Sequence, residues 1–254
     1  MVDEKNTLDE EKEYENGFKP KEVHLKENYV FYRKNIFYLI WNKIVVFVAS
    51  FIFAFPKILV YGFKTTGRKN LKHMKGAIII SNHVYSNDVI LIISALRHSK
   101  TLYQTTVQSN LGFGIVSKIF TGGGAVPIPT DSIHLLRKFN RSTVETLNKN
   151  YPILFFPEGH LIPECKRIRP FMSGAFHFAI DSNSKIIIPT VITFHKPKGF
   201  YKLTRRNKPC IHYNILEPYH IEMLENKRLT INKISEDLHT IMSDYYLEHS
   251  DYFK

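Results

Sequence analysis

The alternation of apolar and polar positions divides the chain into three stretches. Residues 1–28 are polar and charged, without a periodic apolar face, and read as a loosely ordered tail. From Ile36 to Phe63 apolar residues dominate, and Ile44 to Phe55 is uninterrupted if Ser50 counts as neutral. Further on, short apolar runs alternate with segments of helical spacing. Lys75 to Ser81 reads as a buried strand, residues 88–96 as a helix, and Thr101 to Thr106 as a second strand. Gly122-Gly123-Gly124 introduces Ala125 to Pro129. Thr130 or Asp131 is then placed to cap a helix whose apolar side includes Ile133, Leu136, Val144 and Leu147. Pro152 to Phe156, Lys185 to Ile192 and Ile211 to Ile215 are further strands, and Ile231, Ile234, Leu238, Ile241 and Tyr245 recur at helical spacing. Strands alternating with helices predict a single α/β domain with a largely central sheet flanked by helices. The expected layout is an acidic tail (1–28), a membrane-associated helical segment (29–66) and an α/β domain (67–254).

The apolar run of 12 residues is shorter than the roughly 20 that a regular spanning helix needs. Asn42 and Lys43 precede it, and Pro56 and Lys57 follow. The lysines can snorkel from either end, while Pro56 stops or kinks a helix. These features favour a shallow or hairpin-like insertion that leaves the remaining chain on the cytoplasmic face of the cell membrane. A buried core helix and a single span are the alternatives. Charge supports a lipid partner: residues 1–15 carry seven acids and two lysines, so the rest holds +17 of a chain whose net charge is +12. Such a body is drawn to anionic lipid, nucleic acid or an acidic substrate, and the apolar segment selects lipid over nucleic acid. Cys165 and Cys210 are the two cysteines, with neither CxxC spacing nor a disulfide framework, and fit a reducing compartment.

Two stretches carry chemistry. In Asn82-His83-Val84-Tyr85-Ser86-Asn87-Asp88, an imidazole follows the apolar strand directly, and a carboxylate lies five residues on. One turn brings Asp88 to the His83 ring, where it can hold one tautomer and stabilise the imidazolium, so that His83 serves as a general base. A cap at a helix start is the plainer role for both. In Phe156-Pro157-Glu158-Gly159, Glu158 can accept hydrogen bonds from substrate hydroxyls or anchor its own loop, and Gly159 allows close approach to backbone. Lys166, Arg167 and Arg169 form a basic patch suited either to a phosphate or to solvent. His160 can touch a phosphate or assist proton movement, or pack against an aromatic ring and satisfy a backbone carbonyl; packing is the preferred reading. The triple glycine lacks the Gly-Lys-Ser/Thr of a phosphate loop, and no metal-ligand spacing is present.

With these motifs in order, the chain resembles the membrane-associated glycerolipid acyltransferases, especially the lysophosphatidic acid acyltransferases. Asn82, His83 and Asp88 match an Asn-His-x4-Asp signature, and Phe156 to Gly159 match the start of Phe-Pro-Glu-Gly-Thr-Arg-Ser. Arg169 to Phe176 and Ile187 to Val191 resemble two further family stretches. Thr130 and Leu161 stand where that family usually has arginines, which puts the acceptor in question. The resemblance implies transfer of a fatty acyl group from an acyl-CoA or acyl-carrier-protein thioester to the free hydroxyl of lysophosphatidic acid, in phospholipid biosynthesis. His83 would be the base and Asp88 its orienting partner. Glu158 and Gly159, with Lys166, Arg167 and Arg169, would bind substrate, and neither metal nor cofactor would be needed. A different lysophospholipid, another hydroxyl or amine acceptor, or a noncatalytic membrane-binding role are the alternatives.

Overall fold

The computed structural model describes residues 21–55, 60–85, 87–96 and 101–254. The first 20 residues of the expected tail, and Pro56 and Lys57, lie outside the described residues. Helix α1 (Ile36–Phe55) leads into strand β1 (Lys64–Thr66), and β2 (Ile78–Ser81) precedes helix α2 (Asp88–Leu96). Then follow β3 (Tyr103–Val107), α3 (Ile115–Gly122), β4 (Ala125–Ile128), α4 (Ile133–Asn148), β5 (Ile153–Phe155) and α5 (Gly174–Asp181). The chain ends with β6 (Ile186–His195), the one-turn α6 (Tyr201–Thr204), β7 (Cys210–Ile215), β8 (Tyr219–His220) and the long α7 (Lys227–His249).

The strands form one mixed sheet in the order β1-β7-β6-β2-β5-β3-β4, with β8 added against the start of β6. Strands β6, β2, β5, β3 and β4 run parallel to their neighbours, whereas β7 returns antiparallel to β6. Parallel strands are covered on both faces, which is why β2 and β5 read as plain apolar runs; every residue of both is buried. The chain moves one way across the sheet from β2 through β3 to β4, then back to β5 and on to β6. Right-handed crossovers then place α2 and α3 on one face and α4 and α5 on the other. The packing agrees: α1 lies on α2 and α3, while α5 joins α4 and α7. The strands β2 and β5 are neighbours whose outgoing connections cover opposite faces. Their C-terminal ends are therefore the topological switch point, where the crevice of such sheets usually takes its ligand.

Three expectations are modified. Asn42 does not break the apolar segment: it is buried within α1 and donates through Nδ2 to the Gly122 carbonyl (2.9 Å), so the helix runs for 20 residues. The cap of α4 is Ser132, whose hydroxyl accepts from the Leu135 N–H (3.3 Å). The buried stripe of α4 is Leu135, Phe139, Thr143, Thr146 and Leu147, while Ile133 is exposed. Two polar members disguised that stripe: Thr143 Oγ1 lies 2.9 Å from the Tyr32 hydroxyl, and Thr146 Oγ1 accepts from Lys34 (2.7 Å). The core takes in Phe31 and Tyr32, and the Tyr32 ring meets Tyr103 edge-on at 5.1 Å. Among the described residues, no helix is long and apolar enough to cross a membrane.

A polar track crosses β6 and β7 beyond the crevice. The rings of His195 and His212 stack 3.7 Å apart, Thr193 Oγ1 lies 2.9 Å from His195 Nε2, and Asn214 donates to Thr193 Oγ1 (3.0 Å). Burial, with the neighbouring His195 and Lys64, pushes the His212 ring down from 6.5 to about 4, against a smaller upward pull from Asp251. Burial lowers His195 as well, with Asp251 opposing and His249, Lys198 and Lys64 adding to the fall. These rings stay neutral in the fold while the unfolded chain protonates them. The His212 contribution is therefore complete above pH 6.5 and is lost as pH falls toward 4, and that of His195 is lost in the same direction. His212→Phe keeps an aromatic stack and should flatten the acid-side fall of the urea midpoint between these pH values; an unchanged slope would contradict this role.

Candidate active site

The two chemical motifs meet because of strand register. Ile78, Ile79 and Ile80 of β2 face Ile153, Leu154 and Phe155 of β5, an offset of 75 residues. Carried three residues past the last ladder pair, Ile80–Phe155, the same offset sets His83 beside Glu158, and the His83 backbone N–H donates to Glu158 Oε2 (3.1 Å). The motif spacing in the sequence is thus the ladder register of two neighbouring parallel strands. Asn82 secures the other side of the turn. Its wholly buried side chain accepts from Ile192 N–H (2.8 Å) and donates to Ile192 O (3.0 Å), extending the β2–β6 pairing by one pseudo-bridge.

His83 sits at this switch point with 22% of its side chain exposed, and its Nδ1 lies 2.6 Å from Oδ2 of the fully buried Asp88. Asp88 is the first residue of α2, where the helix dipole favours a negative charge. Burial pushes its carboxyl upward from the ordinary value, while the His83 hydrogen bond and charge, and backbone N–H groups of Tyr85 and Val89, pull it back. Phe156 stacks on the imidazole, ring centroids 4.2 Å apart and planes 22° apart, closing one face of the ring. With a proton on Nδ1 donated to Asp88, the second ring nitrogen, Nε2, is left as an acceptor.

Glu158 is occupied differently from the substrate-binding role read in the sequence. Its side chain is fully buried. Oε2 accepts from His83 N–H and from Arg169 Nη2 (2.9 Å), and Oε1 accepts from Arg169 N–H (3.0 Å). Arg169, expected to face a phosphate, is buried with it; its guanidinium also donates to the His160 carbonyl and, through Nη1, to His160 Nε2 (2.8 Å). The physical reason is that each is the other's nearest countercharge in a dry loop, where neither charge is stable alone. Gly159 has φ +85°, and a Cβ there would meet Met172 Sδ at 2.8 Å, so Met172 already fills the space beside it. Lys166 and Arg167 are exposed, with Lys166 Nζ 5.4 Å from the Phe253 ring centroid. The segment between Gly159 and Arg169 runs along the His83 turn: Ile162 N–H donates to His83 O (3.2 Å) and Glu164 N–H to Val84 O (2.8 Å).

Fold and site together define an α/β protein with a histidine–carboxylate dyad in the crevice at the carboxyl edge of its parallel strands. The chain belongs to the Acyltransferase family, whose profile matches residues 62–193. It is similar to proteins described as 1-acyl-sn-glycerol-3-phosphate acyltransferase from Neisseria gonorrhoeae and from Neisseria meningitidis serogroup B. Identity to each is 28% over 121 residues, 48% of this chain and 46% of theirs, so the match spans about half the length of these relatives. The crystal structure of the 1-acyl-sn-glycerophosphate (LPA) acyltransferase PlsC from Thermotoga maritima shares the fold, with a TM-score of 0.54 and 14% identity over 84% of this chain and 90% of that one.

The sequence displayed His83, Asp88 and Glu158 but concealed what Glu158 binds. Replacing that carboxylate by an amide sets an N–H donor against the His83 and Arg169 donors. Glu158→Gln should therefore cost about 3–5 kcal/mol in unfolding free energy, as for other broken buried ion pairs. A urea titration showing a loss below about 1 kcal/mol would remove Glu158 from its positioning role.

Proposed function

We propose that the protein transfers a fatty acyl group from an acyl-CoA or acyl-carrier-protein thioester to the free hydroxyl of a lysophospholipid, with lysophosphatidic acid as the acceptor. The observation that carries this reading is the 2.6 Å contact between His83 Nδ1 and Asp88 Oδ2 at the mouth of the β2–β5 crevice. Asp88 fixes the proton on Nδ1, so Nε2 takes the proton of the acceptor hydroxyl as its oxygen attacks the thioester carbonyl. A C–O bond forms, the C–S bond breaks as the tetrahedral intermediate collapses, and His83 returns its proton to the departing thiolate. Phospholipid and free thiol leave. The carboxylate needs no change of protonation in this cycle; it stabilises the imidazolium between the two proton transfers.

The membrane is the second part of the proposal. Phe37, Trp41, Phe47 and Phe51 of α1 are exposed on a helix whose inner side packs on the domain, and Ile115 and Ile119 of α3 continue the apolar surface. Buried Asn42 and the Tyr38 hydroxyl, which donates to Thr121 O (2.8 Å), tie α1 down. A helix held along its inner side and apolar on its outer side fits shallow insertion into one leaflet, where lysophospholipid resides.

A different lysophospholipid is favoured by one observation. Thr130 is exposed beyond the end of β4, three strands and about 14 Å across the sheet from β2, and Leu161 is half-buried in the loop after β5. Neither offers the forked donors that grip a phosphate monoester. The test is turnover in mixed micelles, with lysophosphatidic acid, larger lysophospholipids and both thioester donors, followed by mass spectrometry of the lipids. His83→Ala should abolish product, and Asp88→Asn should slow turnover by about 10³–10⁴-fold, the loss expected when the ring's tautomer is no longer held. Product from a larger lysophospholipid alone would keep the chemistry and replace the acceptor. Undiminished product from His83→Ala would refute the mechanism.

A further inference from the structure

The loop joining β6 to β7 is unlike the other connections. From Lys196 to Lys208 the sequence holds six lysines and arginines and no acid. Arg205 is buried, whereas Lys198, Lys202, Arg206 and Lys208 are exposed. Between them stand two large apolar side chains, Phe200 at 60% and Leu203 at 82% exposure. They lie three residues apart across the single turn of α6, a spacing that sets side chains on one side of a helix.

The loop is fixed in place. Arg205 donates through Nη1 to Val60 O (2.9 Å) and through Nε to Pro209 O (2.5 Å), and its guanidinium carbon sits 5.2 Å from the Tyr61 ring centroid. Gly62, with φ +55°, passes so close that a Cβ would meet Cys210 Sγ at 2.7 Å. Val60 and Tyr61 belong to the segment that leads into β1, five to six residues after α1 in the chain. The buried arginine therefore ties the loop to that segment. Because β6 is parallel to β2, with Thr190 opposite Ser81, the loop leaves the sheet at the same edge as His83.

We propose that the β6–β7 loop is a second lipid-binding element: Phe200 and Leu203 insert into an anionic bilayer while the surrounding lysines and Arg206 hold its headgroups. This rests on the reading of α1 as the membrane-facing helix and extends it. A basic ring around two exposed apolar side chains matches the chemistry of an anionic interface, where charge draws the loop in and apolar burial keeps it there. With α1 and the loop both seated, the mouth of the crevice faces the surface in which an amphipathic acceptor and its product reside.

The chain has one tryptophan, Trp41, on the exposed side of α1. Its fluorescence in the parent reports helix insertion. Trp41→Phe combined with Leu203→Trp reports the loop alone. Vesicles of phosphatidylglycerol and phosphatidylcholine brominated along the acyl chains should quench both reporters. Phe200→Ser with Leu203→Ser should weaken vesicle binding at least about tenfold without loss of secondary structure. Lys198→Glu with Lys202→Glu should cut binding to phosphatidylglycerol vesicles by at least about fivefold per charge, with little effect on phosphatidylcholine vesicles. Quenching of Trp41 without quenching of the Leu203→Trp reporter would overturn the loop assignment and leave α1 at the membrane. Absence of quenching in both would overturn the membrane reading itself. A Leu203→Trp reporter that ignores vesicles but responds to an acidic acyl-carrier protein would reassign the surface to a protein partner.

Discussion

A buried carboxylate beside His83 governs the geometry at the carboxyl ends of β2 and β5. Glu158 receives the backbone N–H of His83, the backbone N–H of Arg169 and the Arg169 guanidinium, all within 3.1 Å. A lone carboxylate at that depth would be costly, and so would a lone guanidinium; together, with backbone donors on the remaining lone pairs, they are stable. The consequence is mechanical. The turn after β2, the turn after β5 and the loop ending at Arg169 are held as one body, and the His83 backbone cannot move without breaking a charge-assisted hydrogen bond.

The two acids of the site thus divide the work. Glu158 holds the main chain of His83, and Asp88 holds its ring. Phe156 covers one face of that ring, while Asn82 ties the same turn to β6. Each of the four partners comes from a different constraint: strand register, helix start, apolar stacking and edge pairing. Preorganisation of this kind lowers the reorganisation needed when a proton moves, which is where a general base gains its effect. The proposed seating at a membrane would follow the same economy, since α1 is anchored along its inner side by Tyr38 and Asn42 and leaves Phe37, Phe47 and Phe51 outward.

Much of this was legible in the residues. The strands β2 and β5 were visible as short apolar runs because parallel central strands are buried on both faces. The His83–Asp88 pairing could be read because five residues span the turn from strand end to helix start. What could not be read was which loops lie in dry surroundings. Arg169 looked like surface charge in a basic stretch, yet its side chain turns inward onto Glu158 and the His160 carbonyl, while its neighbours Lys166 and Arg167 stay exposed. Likewise Asn42 looked like an interruption until the Gly122 carbonyl supplied its partner 80 residues away. Buried Thr143 and Thr146, which meet Tyr32 and Lys34, concealed the inner face of α4 for the same reason: a polar side chain satisfied at long range is indistinguishable, locally, from one in solvent.

In the proposed mechanism Asp88 holds the His83 ring with its proton on Nδ1, leaving Nε2 as the base. Nitrogen NMR of ¹⁵N-histidine-labelled protein at neutral pH, with the His83 signals assigned by their loss in a His83→Gln sample, reads this directly. The account predicts a protonated Nδ1 and an unprotonated Nε2 for the neutral ring. A neutral ring with its proton on Nε2 would contradict it, because no base would then face the acceptor hydroxyl.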